Sequence, residues 1–201
     1  MNLSSVSVCN ERDILPEYRE TAVGDLLAYH NLGAPHRHHT DAALLIGMCM
    51  DHRLQLEIPP NFAFVLRCAG ANLGMLEFDV SFAIAVGGIR AVCLIGHDGC
   101  RMVDVASKRK AFVRGLIDSA GWDRAKAEEQ FDTNSARCGF VDVSDSVWLE
   151  AQRLRETYAG ITVAPLVYSL GDGSVRQIVE AGQTTVTARR EADEKHGEGP
   201  P

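Results

Sequence analysis

The chain lacks any apolar run approaching the roughly 20 residues that cross a bilayer, and Met1–Arg12 lacks the basic start and apolar middle of a secretory signal. The expected location is therefore the cytoplasm, with no membrane partner. Clustered positive charge is also missing. Lys and Arg number 20 against 27 Asp and Glu, which gives a formal charge of −7, and no basic stripe is interleaved with aromatics. Nucleic acid and anionic membrane surfaces need such clusters, so neither is an expected partner. The cysteines at 9, 49, 68, 93, 100 and 138 lack the close regular spacing of a small disulfide scaffold, and a reduced pool is expected. The bend Gly70-Ala71-Asn72-Leu73-Gly74 has neither the Gly-x-Gly-x-x-Gly spacing nor the following lysine of a phosphate-cradling loop, which argues against nucleotide binding. It reads instead as a place where backbone lies close to a pocket.

What remains is an ordinary globular composition. With 46% apolar and 23% charged residues, 201 residues are enough for one sizeable core and slightly short for two. Two short apolar runs organise the chain. Leu44-Leu45-Ile46-Gly47-Met48 ends in Cys49-Met50-Asp51-His52-Arg53, and Ala91-Val92-Cys93-Leu94-Ile95-Gly96 ends in His97-Asp98-Gly99-Cys100. Each reads as a buried parallel strand whose carboxyl end delivers side chains into a crevice. Two strand ends thereby present the thiols of Cys49 and Cys100 and the imidazole of His97. Two cysteines and one histidine form a three-ligand zinc set, the number a catalytic zinc takes while a fourth position stays open. His97-x-x-Cys100 alone is a weak signal, and the Cys-x-Asp-x-Arg at an earlier strand end strengthens it.

The remaining pattern places further elements. Thr21–Tyr29 has the spacing of a short helix, and Phe62–Arg67 reads as a second strand. Met75–Val86 has a helical period stopped by Gly87-Gly88, which makes a strand–helix–strand crossover. Helix is also expected over Met102–Ala120, with Lys108, Arg109, Lys110 and Arg114 on a solvated face, over Asp123–Phe131, and from a Ser144 cap to Tyr158. Cys138 is placed in a loop as a free thiol or a spare ligand. Thr162–Ser169 and Val175–Val179 flank a turn at Gly171-Asp172-Gly173 and predict a hairpin. His36, His38 and His39 share a loop opened by Gly33 and Pro35. They form a solvated segment, a metal cluster or a pH-sensing element.

The series Cys49-Met50-Asp51-His52-Arg53, Arg67-Cys68-Ala69-Gly70 and Gly96-His97-Asp98-Gly99-Cys100 resembles the β-class carbonic anhydrases, over roughly Ala42 to Met102. The resemblance implies an α/β fold, a mainly parallel sheet flanked by helices with a C-terminal hairpin. It implies one Zn2+ per chain on Cys49, His97 and Cys100, with Asp51 and Arg53 as a catalytic dyad beside it. The implied reaction is reversible hydration of carbon dioxide to bicarbonate by zinc-bound hydroxide. It also implies a homodimer or multiple of dimers, an N-terminal segment packed on the partner, and apolar cleft wall supplied by that partner. Residues 1–40 are then a helical extension with the His-rich loop, 41–187 the zinc-binding domain, and 188–201 a disordered tail.

Three positions depart from the family pattern: His52 for serine, Cys68 for asparagine and Asp98 for serine. They motivate two alternatives, hydrolysis of carbonyl sulfide or carbon disulfide, and a zinc-binding homologue without turnover. Asp51 either stays with Arg53 or binds the metal itself. His52 points away from the site, carries protons or reshapes the pocket, and Asp98 either orients a ligand or caps the following turn.

Overall fold

The computed structural model describes residues 1–181, so the expected disordered tail at 188–201 lies outside the described residues. In chain order the elements are β1 (Leu3–Val6), α1 (Ala22–Leu32), β2 (Leu44–Cys49), β3 (Ala63–Cys68), α2 (Glu77–Ala85), β4 (Ala91–His97), α3 (Arg109–Ala120), α4 (Arg124–Cys138), α5 (Val143–Thr157), β5 (Thr162–Tyr168) and β6 (Val175–Glu180). One six-stranded sheet has the order β1-β6-β5-β4-β2-β3. The four strands β3, β2, β4 and β5 run parallel, and β6 and β1 add antiparallel pairs at one side.

The central strands β2 and β4 are buried at every position, as unbroken apolar runs in a parallel sheet must be when both faces are covered. Alternation along them sorts the core into two layers. Ile46, Met48, Cys93 and Ile95 face a layer with Leu26 and Leu27 of α1 and Phe62. Leu45, Val92 and Leu94 face the other, with Val80 and Ala83 of α2 and Val147, Ala151 and Leu154 of α5. The first 40 residues contribute β1 to the sheet and α1 to this core.

Four local expectations change. Leu3–Val6 is a strand that its short Leu-Ser-Ser-Val sequence does not announce; it gains its ladder from β6. Helix begins at Arg109, well after Met102, because Val103 pairs with Phe140 and Asp104 takes a left-handed backbone, φ 49°, before a single 3-10 turn. Cys138 is the last residue of α4 and not part of a loop. The cap of α5 is Asp142, whose extended backbone lets its Oδ1 accept the Asp145 N–H at 2.9 Å, whereas Ser144 already lies in the first turn.

Candidate metal centre

Parallel pairing of β2 with β4 brings their carboxyl ends to the same edge, where β2 ends on Cys49 and β4 on His97. Gly96 sets how closely α5 approaches that edge. A Cβ there would lie 2.7 Å from Val143 Cγ1 and 2.7 Å from Val147 Cγ2, so only glycine lets the helix seat on β4 beside the histidine. A turn then returns Cys100 to the same spot. Cys49 Sγ and Cys100 Sγ are 3.9 Å apart, and the ligand atoms of Cys49, His97 and Cys100 all lie within 4.8 Å of one another. All three residues are buried, and among the described residues they are the one His, Cys, Asp or Glu cluster that converges in this way.

The imidazole is set up as a ligand. His97 Nδ1 lies 2.8 Å from the Asp98 carbonyl oxygen. A carbonyl only accepts, so Nδ1 carries the proton and Nε2 offers a bare lone pair. That Nε2 is buried without a hydrogen-bond partner. An unsatisfied buried acceptor costs about 1–3 kcal/mol, and a metal ion removes that cost. The sulfur spacing agrees, since tetrahedral zinc with bonds of about 2.3 Å to sulfur puts two sulfurs about 3.8 Å apart.

Backbone N–H groups of Asp51 and Gly70 point at Cys49 Sγ, and that of Met102 at Cys100 Sγ, so both sulfurs sit among donors that favour thiolate. The glycine bend thus acquires a purpose. Gly70 has φ 65°, and a Cβ there would press into the Phe140 ring at 2.5 Å. Without a metal the thiol pair shares a proton: the Cys100 hydrogen bond lowers Cys49, and Cys100 is correspondingly raised. Burial pushes Cys68 up to about 12 and raises Cys93, leaving both as neutral thiols. Cys68 donates to the Asn72 carbonyl at 3.2 Å.

Asp51 and Arg53 meet as a forked ion pair beside the ligands. Arg53 Nε reaches Asp51 Oδ1 at 2.9 Å, Nη2 reaches Oδ2 at 2.7 Å, and the Arg53 backbone N–H adds a bond to Oδ1 at 3.0 Å. These bonds hold the Asp51 carboxyl far below the usual carboxylate range. The carboxylate is ionised and paired with the arginine, and its Oδ2 lies 3.9 Å from His97 Nε2. Arg53 Nη2 also contacts the Gly99 carbonyl at 3.4 Å, tying the two ligand-bearing segments together. His52 turns outward, with its side chain 93% exposed. Asp98 divides its work: its backbone carbonyl fixes His97, and its Oδ1 accepts the Leu170 N–H at 2.9 Å.

Two contributions were not anticipated from the sequence. Arg67 of β3 spans the end of β2, with Nη1 at 3.4 Å from the Cys49 carbonyl and 3.2 Å from the Asp51 carbonyl, and Nη2 at 2.9 Å from the Leu54 carbonyl. The signal available was an arginine closing an apolar strand. The second is the cavity wall. A cavity of about 560 Å³ opens onto Cys49, Cys100, Asp51 and Arg53, and its far side carries Phe112 of α3 and Phe131 of α4. Those rings pack at 5.2 Å between centroids. This chain supplies apolar wall itself, on helices whose sequence advertised chiefly their charged face. The histidine loop does not converge on a metal. His39 packs against Phe62 and lies 3.3 Å from the Tyr29 hydroxyl, and His36 meets the Tyr29 ring edge-on.

No family model matches the chain, and no curated protein matches it by sequence. Solved structures do. The β-carbonic anhydrase isoform I of Trichomonas vaginalis superposes with a TM-score of 0.58 at 18% identity, over 72% of this chain and 87% of that one. The fold is that of the β-carbonic anhydrases. Carbonic anhydrase of Streptococcus mutans gives 0.55 at 19% identity, over 75% and 90% of the two chains. A carbon disulfide hydrolase in its apo form gives 0.53 at 16% identity, over 80% and 89%. On this β-carbonic anhydrase fold, the Cys-His-Cys cluster sits where the two central strands end.

Proposed function

We propose that the chain is a zinc enzyme that reversibly hydrates carbon dioxide to bicarbonate, with Cys49, His97 and Cys100 holding the ion and Asp51 and Arg53 acting beside it. One observation carries the reading: the buried, partnerless His97 Nε2 faces two thiols 3.9 Å apart, with a carboxylate oxygen 3.9 Å away. Zinc on three such ligands lowers the pKa of water to about 7 and so supplies hydroxide at neutral pH.

The chain's residues supply the rest. Asp51 Oδ2 accepts the O–H of the attacking group and aims its remaining lone pair at the substrate carbon. Arg53 keeps Asp51 anionic, so this oxygen accepts and never donates. The apolar surface of Phe112 and Phe131 suits an uncharged linear molecule. Zinc counting and carbon dioxide hydration kinetics on wild type and Cys49→Ala test the reading. Zinc-dependent hydration that disappears with Cys49 supports it, and one zinc per chain without hydration overturns it.

The likeness to a carbon disulfide hydrolase favours a second reading, hydrolysis of carbon disulfide or carbonyl sulfide by the same centre. Sulfide release from either substrate by protein that does not hydrate carbon dioxide selects it. We further propose a homodimer or multiple of dimers. An apolar face supports this: edge strand β3 exposes Phe64 on the side of the sheet that α2 covers, and α2 exposes Phe78 at 79% and Phe82 at 55%. Phe64 also packs against Gly87, so strand and helix form one surface.

A further inference from the structure

Beside the Asp51 N–H, two backbone donors serve the ligand sulfurs, Gly70 on Cys49 and Met102 on Cys100. They lie in the bend after β3 and the turn after β4, and neither amide belongs to an α-helix or a strand. Both segments are held from one place, Phe140, between α4 and α5. Its ring lies against Gly70, where a Cβ would fall 2.5 Å from Phe140 Cε1. The bend it covers is left-handed at two successive residues, Gly70 at φ 65° and Ala71 at φ 60°. Alanine takes that conformation at a cost, so the bend keeps its shape only where its surroundings impose it. The end of α4 imposes it, since Asn72 Nδ2 donates to the Arg137 carbonyl at 2.8 Å and the Phe140 ring closes over Gly70. The main chain of the same residue grips the other segment. Phe140 pairs with Val103 in a parallel bridge, its carbonyl accepts the Asp104 N–H at 3.0 Å, and its own N–H donates to the Met102 carbonyl at 3.4 Å. Gly139 permits that approach, because a Cβ there would overlap Val105 Cγ1. Phe140 does not line the cavity that opens onto the cysteines, so its part is positioning and not catalysis.

We propose that Phe140 is a positioning residue of the metal centre, holding the Gly70 amide on Cys49 with its ring and the Met102 amide on Cys100 with its main chain. The inference deepens the assignment of Cys49, His97 and Cys100 as ligands and rests on it. An N–H directed at a thiolate fixes the direction of the sulfur and draws charge from it, which tempers what two sulfurs give to one ion. Because a single residue supports both donors, the two sulfurs are set together. A change at Phe140 is therefore felt at the ligands although its side chain touches neither the ion nor the substrate.

The test is NMR of the full chain loaded with a spin-active cadmium isotope, a soft ion that takes the place of zinc on thiolates. Each N–H···S bond is read as a coupling between the ion and that amide proton. Wild type should show couplings to both Gly70 and Met102, and absence of either in the fully loaded chain overturns the proposal. Phe140→Ala should weaken the Gly70 coupling and lower zinc affinity by about tenfold or more in chelator competition. Phe140→Met, which refills the space, should restore both. Gly139→Ala, which forces the main chain away from Val105, should weaken chiefly the Met102 coupling, and it carries the test if Phe140→Ala does not fold. Leu154→Ala removes core on the face of α5 away from the centre and should leave couplings and affinity within about twofold of wild type. Wild-type couplings and affinity in folded Phe140→Ala overturn the proposal, as do equal losses in Leu154→Ala, which would mark general loosening. These readouts need no turnover, so failure of the hydration reading does not reach them. A chain that holds no ion on Cys49 and Cys100 overturns the ligand assignment and this role together.

Discussion

Asp51 is the residue on which chemistry and electrostatics meet. Arg53 lowers its folded pKa, so the ionised pair favours the folded state above the ordinary carboxylate range. That contribution is fully present above about pH 4 and is lost as pH falls from there toward the lowered folded value. Urea unfolding of wild type and Asp51→Asn should therefore differ by a constant amount above about pH 5 and by progressively less as pH falls below about 4 toward the lowered folded value. A difference that stays constant below about pH 4 as well contradicts the pairing. In turnover, Asp51→Asn should retain zinc and lose about 10²-fold in kcat/KM, the scale of a mispositioned nucleophile. Cys100→Ala should lose stoichiometric zinc when the metal is counted after dialysis. Retained zinc would move the ligand assignment elsewhere.

At the scale of elements, two devices aim the site. Arg67 gathers the carbonyls of Cys49, Asp51 and Leu54, which fixes the turn carrying both a ligand and the dyad. Arg67→Ala should weaken zinc binding or turnover by about tenfold, as loss of a group that orients ligands does. A chelator competition titration measures the first and hydration kinetics the second; wild-type values in both contradict the clamp. Gly96 admits α5 against β4, and Gly96→Ala should destabilise by about 1–3 kcal/mol in urea unfolding through overpacking on Val143 and Val147.

The strands and the convergence of Cys49, His97 and Cys100 were legible because both follow from local signals. Leu44–Cys49 and Ala91–His97 are unbroken apolar runs, and Cys and His at their ends are uncommon residues with few uses. Other features depend on distant partners. Leu3–Val6 is a strand because β6 lies beside it, and 102–108 leaves the helix because Phe140 pairs with Val103. The roles of Phe112 and Phe131 were hidden for the same reason: helical spacing identifies an apolar face but not the cavity it meets.

The whole molecule joins one α/β body to an uncovered apolar surface. Phe64 on β3 and Phe78 and Phe82 on α2 should be buried between two copies. Light scattering should give at least a dimer, and Phe78→Glu with Phe82→Glu should shift it toward monomer, since both side chains are exposed in the single chain and the charges leave its core intact. A monomeric wild type that hydrates carbon dioxide contradicts the proposed assembly. Its own Phe112 and Phe131 would then supply the cavity's apolar wall.

The most direct measurement is stopped-flow hydration of carbon dioxide, followed with a pH indicator from neutral to alkaline pH, on protein whose zinc has been counted. The account predicts turnover that rises with pH, scales with bound zinc and disappears in Cys49→Ala. One zinc per chain with no hydration at any pH contradicts it.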